Sequence, residues 1–451
     1  MPASHSLKAA VRFGALVALL ALTGAAAGAE EQPPRVLGLD DAVAAALQNQ
    51  PTVLVARAQT EAAAGRVEQA RSGYLPQVTG NALYERVHGS TASATSTTAG
   101  GTTSTGLTPV AAGGSATYDL FSAGISATQL IWDFGQTIDR TKAAAASRDA
   151  QQSSERSTKQ QVVLQVRRTF FQAHAQKALV IVGNESVGNQ ERHLAQIRGF
   201  VEQGIRPEID LAQARTDLAN AKVTLINART NYVTAKAQLN QAMGVQGPLD
   251  FEVSDDALPG IAEEDQPIPR LVAIASESRP ELVALLRQRR AAELTLSAIH
   301  GAYGPSLSAL GGISETGVAL DALGTRWNVG LSLNWPLFQG GLTAGQSREA
   351  RANIDAAAAQ ITAEQLQIRV EVEQAELAIQ SAKVVIEAAK DATTNAHEQL
   401  RLAEGRYESG VGSIIELDDA QLAVQSAEAQ SVQAEFNLAL ARAQLLSALG
   451  R

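Results

Sequence analysis

Residues 326–335 read RWNVGLSLNW, and their alternation decides the fold. In an extended strand Trp327, Val329, Leu331, Leu333 and Trp335 share one face, and Arg326, Asn328, Gly330, Ser332 and Asn334 the other. A strand of a soluble sandwich can alternate in the same way. Here a Trp closes each end of an apolar stripe about 26 Å long, at roughly 3.3 Å per residue, which matches a membrane barrel with two aromatic girdles. Phe121, Ala123, Ile125 and Ala127 alternate in the same sense, more weakly. Two such strands in each half of the chain make four, and spanning barrels need at least eight, so the reading requires an oligomer.

The rest of the chain is compatible with export. Lys8 and Arg12, the apolar run Phe13–Leu22 and Ala27-Gly28-Ala29 form a signal peptide over residues 1–29. Removing its two bases leaves 35 Lys and Arg of 37 against 46 Asp and Glu, a formal charge of −11, which argues against nucleic acid as a partner. No later stretch offers 18 consecutive apolar residues, so an exported chain is either soluble or a β-barrel. There is no Cys, which excludes disulfides, thiolate metal sites and a lipid-modified N-terminal Cys. With 45% hydrophobic but only 4% aromatic residues, the composition suits thin, Ala-rich helices packed closely.

An internal repeat organises the sequence. From Ile131 to Gly244 the first copy matches the second at a constant offset of 206, pairing Trp132 with Phe338, Gly135 with Gly341 and Gly204 with Gly410. Earlier the offset is 229, pairing Pro51 with Pro280 and Pro76 with Pro305. The difference of 23 is an insertion in the first copy, GSTASATSTTAGGTTSTG from Gly89, which has no apolar face to bury and reads as an exposed loop over about 88–114. The first repeat covers 30–250, a linker 251–267 and the second repeat 268–451. Strands are expected at about 77–88, 116–132, 305–316 and 326–338. A medium helix is expected over 39–72, with Asp40 and Asp41 at its start. The long helices, 136–199 and 342–406, are each on the order of 100 Å long, which demands coiled-coil partners. The fold class is therefore α+β, with very long antiparallel helices and four membrane strands per chain.

The helical runs break at about 200–208 and at 407–413, the second inside YESGVGSIIELDDAQ (Tyr407–Gln421). Gly410 and Gly412 free the backbone for a reversal. Ser413 and Glu416 have the S-x-x-E spacing of a capping box, and Pro207 suits the first position of the returning helix in the first copy. Glu416 and Asp419, three apart, share a helix face. For an isolated helix they read as a cap and a solvated charge near the positive helix end.

LDDAVAAALQNQP with LPQ after it, QLIWDFGQ, LNWPLFQGG and the twin helical segments ending AMG and ALG carry a family resemblance. Over about residues 37–450 the chain resembles the TolC-like outer membrane efflux proteins. The resemblance implies a homotrimer with a twelve-strand barrel in the outer membrane of a Gram-negative bacterium and a helical barrel crossing the periplasm. Such a duct serves efflux or type I secretion, passively, with a periplasmic adaptor and a proton-driven or ATP-driven inner-membrane pump as partners. It also implies an aperture ringed by Glu416 and Asp419, with Gln213 at the repeat position of Asp419. A closing latch would join Tyr407 to Asp210. The Arg expected at 412 is Gly412, and Arg206 is the candidate replacement. The tips Gly204-Ile205 and Gly410-Val411 are implied to meet the adaptor, with plain turns as the alternative. Trp327, Trp335, Phe338 and Trp132 would form the girdle in contact with outer-membrane lipid. Two departures bear on subtype: many relatives are anchored through an acylated N-terminal Cys, and some carry an extension beyond the last helix, which here ends at Arg451.

Nothing suggests an enzyme, a cofactor or a metal. His5, His88, His174, His193, His300 and His397 are scattered, and His174 and His193 read as helix-surface residues nineteen positions apart. There is no G-x-x-x-x-G-K-[ST], and GGLTAG at Gly340 follows a strand as a turn into a helix. The rival reading is a soluble periplasmic coiled-coil scaffold or holdase. The Trp327–Trp335 strand counts against it.

Overall fold

A computed structural model describes residues 35–90, 115–256 and 259–451; the signal peptide and the insert from 91 to 114 lie outside the described residues. The chain runs β1 (Arg35–Leu37), α1 (Leu39–Asn49), α2 (Pro51–Arg71), β2 (Gln77–Ser90), β3 (Ser115–Trp132), α3 (Gln136–Glu202) and α4 (Glu208–Met243). It continues through β4 (Phe251–Val253), α5 (Ile268–Ser278), α6 (Pro280–Gly301), β5 (Ser306–Gly317), β6 (Gly324–Asn334), α7 (Leu342–Glu408) and α8 (Ile414–Ala448).

Two expectations change. The helix over 39–72 is two helices, because Gln50 precedes a proline and takes extended backbone (φ −65°, ψ 120°). Arg279 before Pro280 does the same in the second repeat, separating α5 from α6. The fourth strand ends at Asn334 rather than near 338, since Pro336 cannot donate to a ladder, so Trp335 and Phe338 lie just beyond it.

The long helices α3 and α7 each have 67 residues. The shorter helices join end to end to match them. Gly244 (φ +69°) closes α4 so tightly against the start of α2 that a Cβ there would lie 2.7 Å from the Gln50 Cα. The Gln50 amide then donates to the carbonyls of Gln241 (3.3 Å) and Ala242 (3.2 Å) at the helix end. Its repeat equivalent, Gly450 (φ +80°), abuts Ser278, and Arg279 Nε donates to the Ala448 carbonyl at 2.8 Å. Four columns result: α2 with α4, α3, α6 with α8, and α7. Each packs on the next in that order.

Heptad-spaced alanines bring the columns together. Ala375, Ala382, Ala389, Ala396 and Ala403 are buried along α7, and Ala420, Ala427, Ala434, Ala441 and Ala448 along α8. A strict seven-residue repeat keeps one seam in contact by left-handed supercoiling, and Ala lets the backbones approach closely. Larger side chains gather at the two helix junctions, around Phe170, Leu239 and Val253 and around Leu271, Ile368 and Leu445.

The strands form one antiparallel sheet in the order β2-β3-β5-β6, leaving β2 and β6 as free edges among the described residues. Ile125, Ile313 and Trp327 lie side by side across it, so the apolar faces coincide. That face is exposed: Val329 is 80% and Leu331 70% accessible. Trp335 and Trp132 mark its helix end, Trp327 lies toward the opposite end, and the Tyr84–Phe121 ring pair (5.0 Å) sits beyond it. No helix among the described residues is long and apolar enough to cross a membrane.

Candidate functional site

At the end of the hairpins α3 stops at Glu202 and α7 at Glu408, and the chain reverses through Gly204 (φ +70°) and Gly410 (φ +78°). The Ser413 hydroxyl accepts the Glu416 amide at 3.2 Å, which starts α8. Only this half of the capping box forms. The Glu416 carboxylate is held instead by Arg406 Nε at 2.9 Å, because charge attraction outcompetes a turn back to a neutral amide. Pro207 occupies the N-cap of α4, with extended backbone (ψ 154°), rather than the first helical position.

Arg206 bridges the two tips. Its Nη2 donates to the carbonyls of Tyr407 (3.3 Å) and Gly412 (3.4 Å), and its guanidinium lies 4.5 Å from the Tyr407 ring centroid. Gly412 is buried, its amide bonded to the Arg406 carbonyl at 2.8 Å, and a Cβ there would stand 2.9 Å from the Arg406 carbonyl carbon and the Tyr407 nitrogen. An arginine at 412 has no room in this turn. Arg206 supplies a guanidinium to the same place from the opposite tip.

Tyr407 is 1% exposed and packs with Ile197, Ala214, Leu417 and Ala420. The Tyr407–Asp210 hydrogen bond does not form within the protomer: the phenol oxygen is buried without a hydrogen-bond partner. Burial pushes its pKa up, Arg206 pulls it down, and Asp210 and Asp418 push it up again, so both carboxylates are near. The ring, rather than the hydroxyl, makes the cross-tip contact. His193, expected on a helix surface, is buried against this ring with centroids 5.6 Å apart, and burial lowers its pKa. It lies ten residues after the buried Gly183 and four before the buried Ile197, spacings too irregular to have revealed it.

Glu416 is partly exposed and Asp419 exposed, while Gln213 is exposed and donates to Asp217 at 3.1 Å. Asp418, unmarked in the sequence, turns into a groove of about 420 Å³ between the hairpins, together with Asp217, Asp419 and His397. One of its oxygens is buried without a partner. Burial raises its pKa to about 6, helped by Asp217, Asp419 and Asp210. Ile205 and Val411 project into solvent at the extremity.

An exposed apolar sheet face carried on paired coiled-coil hairpins, with an acidic tip, defines a membrane channel with a helical extension rather than a catalyst. The chain belongs to the outer membrane efflux protein family, whose pattern it matches over residues 42–245 and again over 271–451. It is a channel protein of the bacterial outer membrane with a periplasmic helical extension, and not an enzyme. It is 25% identical to the outer membrane efflux protein BepC of Brucella suis over 98% of this chain and 90% of that protein. The fold is similar to the CmeC outer membrane channel of Campylobacter jejuni (TM-score 0.77, 18% identity, 91% of this chain and 85% of that one). It is likewise similar to the outer membrane protein VceC of Vibrio cholerae (TM-score 0.76, 17% identity, 91% and 96%).

Proposed function

We propose that three copies of this chain form an exit duct that receives substrates from an inner-membrane pump through a periplasmic adaptor and is held shut at the helix tips. One observation carries the reading. The sheet and the helices have the same lateral order and are open on the same two flanks: β2 and β6 above, the α2–α4 column and α7 below. Both helical flanks are apolar, with Val223, Ile226 and Val233 on α4 and Leu366, Leu377 and Val384 on α7 exposed. Threefold closure joins flank to flank and yields twelve strands, within the range of outer-membrane barrels.

In the closed duct Glu416 and Asp419 of three chains place six carboxylates around the axis, a ring that admits cations and repels anions. Gln213 and Asp210 lie on the facing hairpin, and Arg206 ties the tips of each protomer through Tyr407. Ile205 and Val411 are the apolar points offered to the adaptor, and Trp327, Trp335, Phe338 and Trp132 sit at the membrane boundaries. Single-channel recording in planar bilayers tests the gate: Arg206→Ala raises the conductance, and Glu416→Gln with Asp419→Asn lowers cation selectivity. Recovery of the protein as a soluble periplasmic monomer after cell fractionation would overturn the duct.

A further inference from the structure

A cavity of about 670 Å³ lies away from the tips, in the groove between α3 and α4 beside the α4–α2 junction. Its volume is within the roughly 300–1,000 Å³ of small-molecule sites. Gln165, Arg168, Gln172 and Gln176 line it from α3, and Gln238 and Gln241 from α4, with no Asp or Glu among its lining residues. Acids outnumber bases in this chain, and some helix arginines hold a carboxylate, as Arg369 does Glu373 at 2.9 Å and Arg401 does Glu398 at 2.6 Å. Arg168 has neither a hydrogen bond nor an ion pair among the described residues. The Gln176 side-chain oxygen is buried without a partner.

The cavity therefore offers an uncompensated guanidinium beside side-chain amides that both donate and accept. A guanidinium fits a planar oxyanion in two parallel hydrogen bonds, and amides fit hydroxyl groups, which also donate and accept. The other lining residues are uncharged, so the site matches a single negative charge on a polar, neutral body. We infer that this cavity binds a hydroxyl-rich organic acid of sugar size, its carboxylate on Arg168 and its hydroxyls on the glutamine amides of α3 and α4. Two sources share this chemistry: free sugar acids, and the lactyl-bearing amino sugar of cell-wall glycan where its carboxylate carries no peptide.

Saturation-transfer NMR on the full-length protein in detergent tests the inference, with glucuronic acid, N-acetylmuramic acid and uncharged N-acetylglucosamine as probes. Saturable binding of at least one acid is expected, at least tenfold tighter than the uncharged sugar. Arg168→Gln abolishes that preference, and Gln172→Leu with Gln238→Leu weakens both acids several-fold. Tighter binding of N-acetylmuramic acid assigns the cell-wall source, and equal binding or a preference for glucuronic acid assigns free sugar acids. Arg168 and Gln238 are exposed and Gln172 is half-buried, so unchanged oligomer size in detergent verifies that these replacements leave the helix packing intact. Absence of saturable binding by either acid, equal binding of the uncharged sugar, or wild-type affinities in both variants overturns it.

Discussion

At the first tip the reversal runs Gly204-Ile205-Arg206-Pro207, and at the second Gly410-Val411-Gly412-Ser413. The glycines take nearly the same left-handed backbone, φ +70° and +78°, and Ile205 and Val411 stand at the same exposed extremity. The next two positions differ in kind. The first tip spends them on a guanidinium that reaches across and a rigid proline, the second on a side chain of no size and a hydroxyl that caps α8. The second tip is a socket and the first a plug. Equivalent turns in a repeat can thus diverge into complementary halves of one contact, because the hairpins face each other rather than performing the same task independently.

The strongest way to break this complementarity is Gly412→Arg. If position 412 could simply carry the missing arginine, the tips would tighten. The crowding of a Cβ at 2.9 Å against backbone makes the opposite outcome expected, a loss of about 1–3 kcal/mol in local stability, read as faster hydrogen exchange over 405–420. Arg206→Ala removes the plug from the other side. Two charge-assisted bonds and a cation–ring contact at a partly exposed site together contribute about 1–2 kcal/mol, and their loss should appear as longer open times in bilayer recordings. Unchanged gating would mean that the tips close without each other.

Ser413→Ala tests the cap alone. A loss of about 1 kcal/mol is expected, confined to the first turn of α8 and visible as fraying there by hydrogen exchange. Asp418→Asn sharpens the comparison through pH. The folded pKa of Asp418, about 6, lies above its ordinary 3.8, so its protonation stabilises the tips fully below about pH 4, and that contribution fades as pH rises through 6. His193 acts in the other direction, since burial lowers its pKa and stability is lost as pH falls below the usual histidine value. The Asp418 contribution to exchange protection near the tips should therefore fall between about pH 4 and 6 in the wild type, and the Asn variant should lack that fall and keep only the opposing rise from His193. The smallest effect belongs to Tyr407→Phe: the hydroxyl has no partner, so stability should change by less than about 0.5 kcal/mol and conductance hardly at all. A large conductance change would restore the hydroxyl to the latch and demote Arg206.

Most of the architecture was legible because it repeats. The 206-residue offset locates both breaks, and the Trp327–Trp335 alternation identifies the membrane face, since strand geometry is local and its period is fixed. The expectation of one helix over 39–72 fails at Gln50-Pro51, where the backbone restriction before proline divides it. Within the site, the glycines and the Ser413 cap were legible for the same local reason. Asp418 and His193 were not: a single acid among three, or one His in a 67-residue helix, carries no mark of burial until the neighbouring hairpin is in place.

The sequence by itself determined the element types, which follow from short-range periodicities, and the repeat, which follows from self-similarity at a fixed offset; the need for a multimeric barrel came from the strand count, and the family from the resemblance of its motifs. Only the tertiary structure decided that α2 stacks on α4 and α6 on α8, that Arg206 crosses to Tyr407 and Gly412, and that the Tyr407 hydroxyl stays unpaired. Those contacts join residues about 200 positions apart. Their energies depend on distances of a few ångströms between separate helices, a quantity that no local pattern encodes.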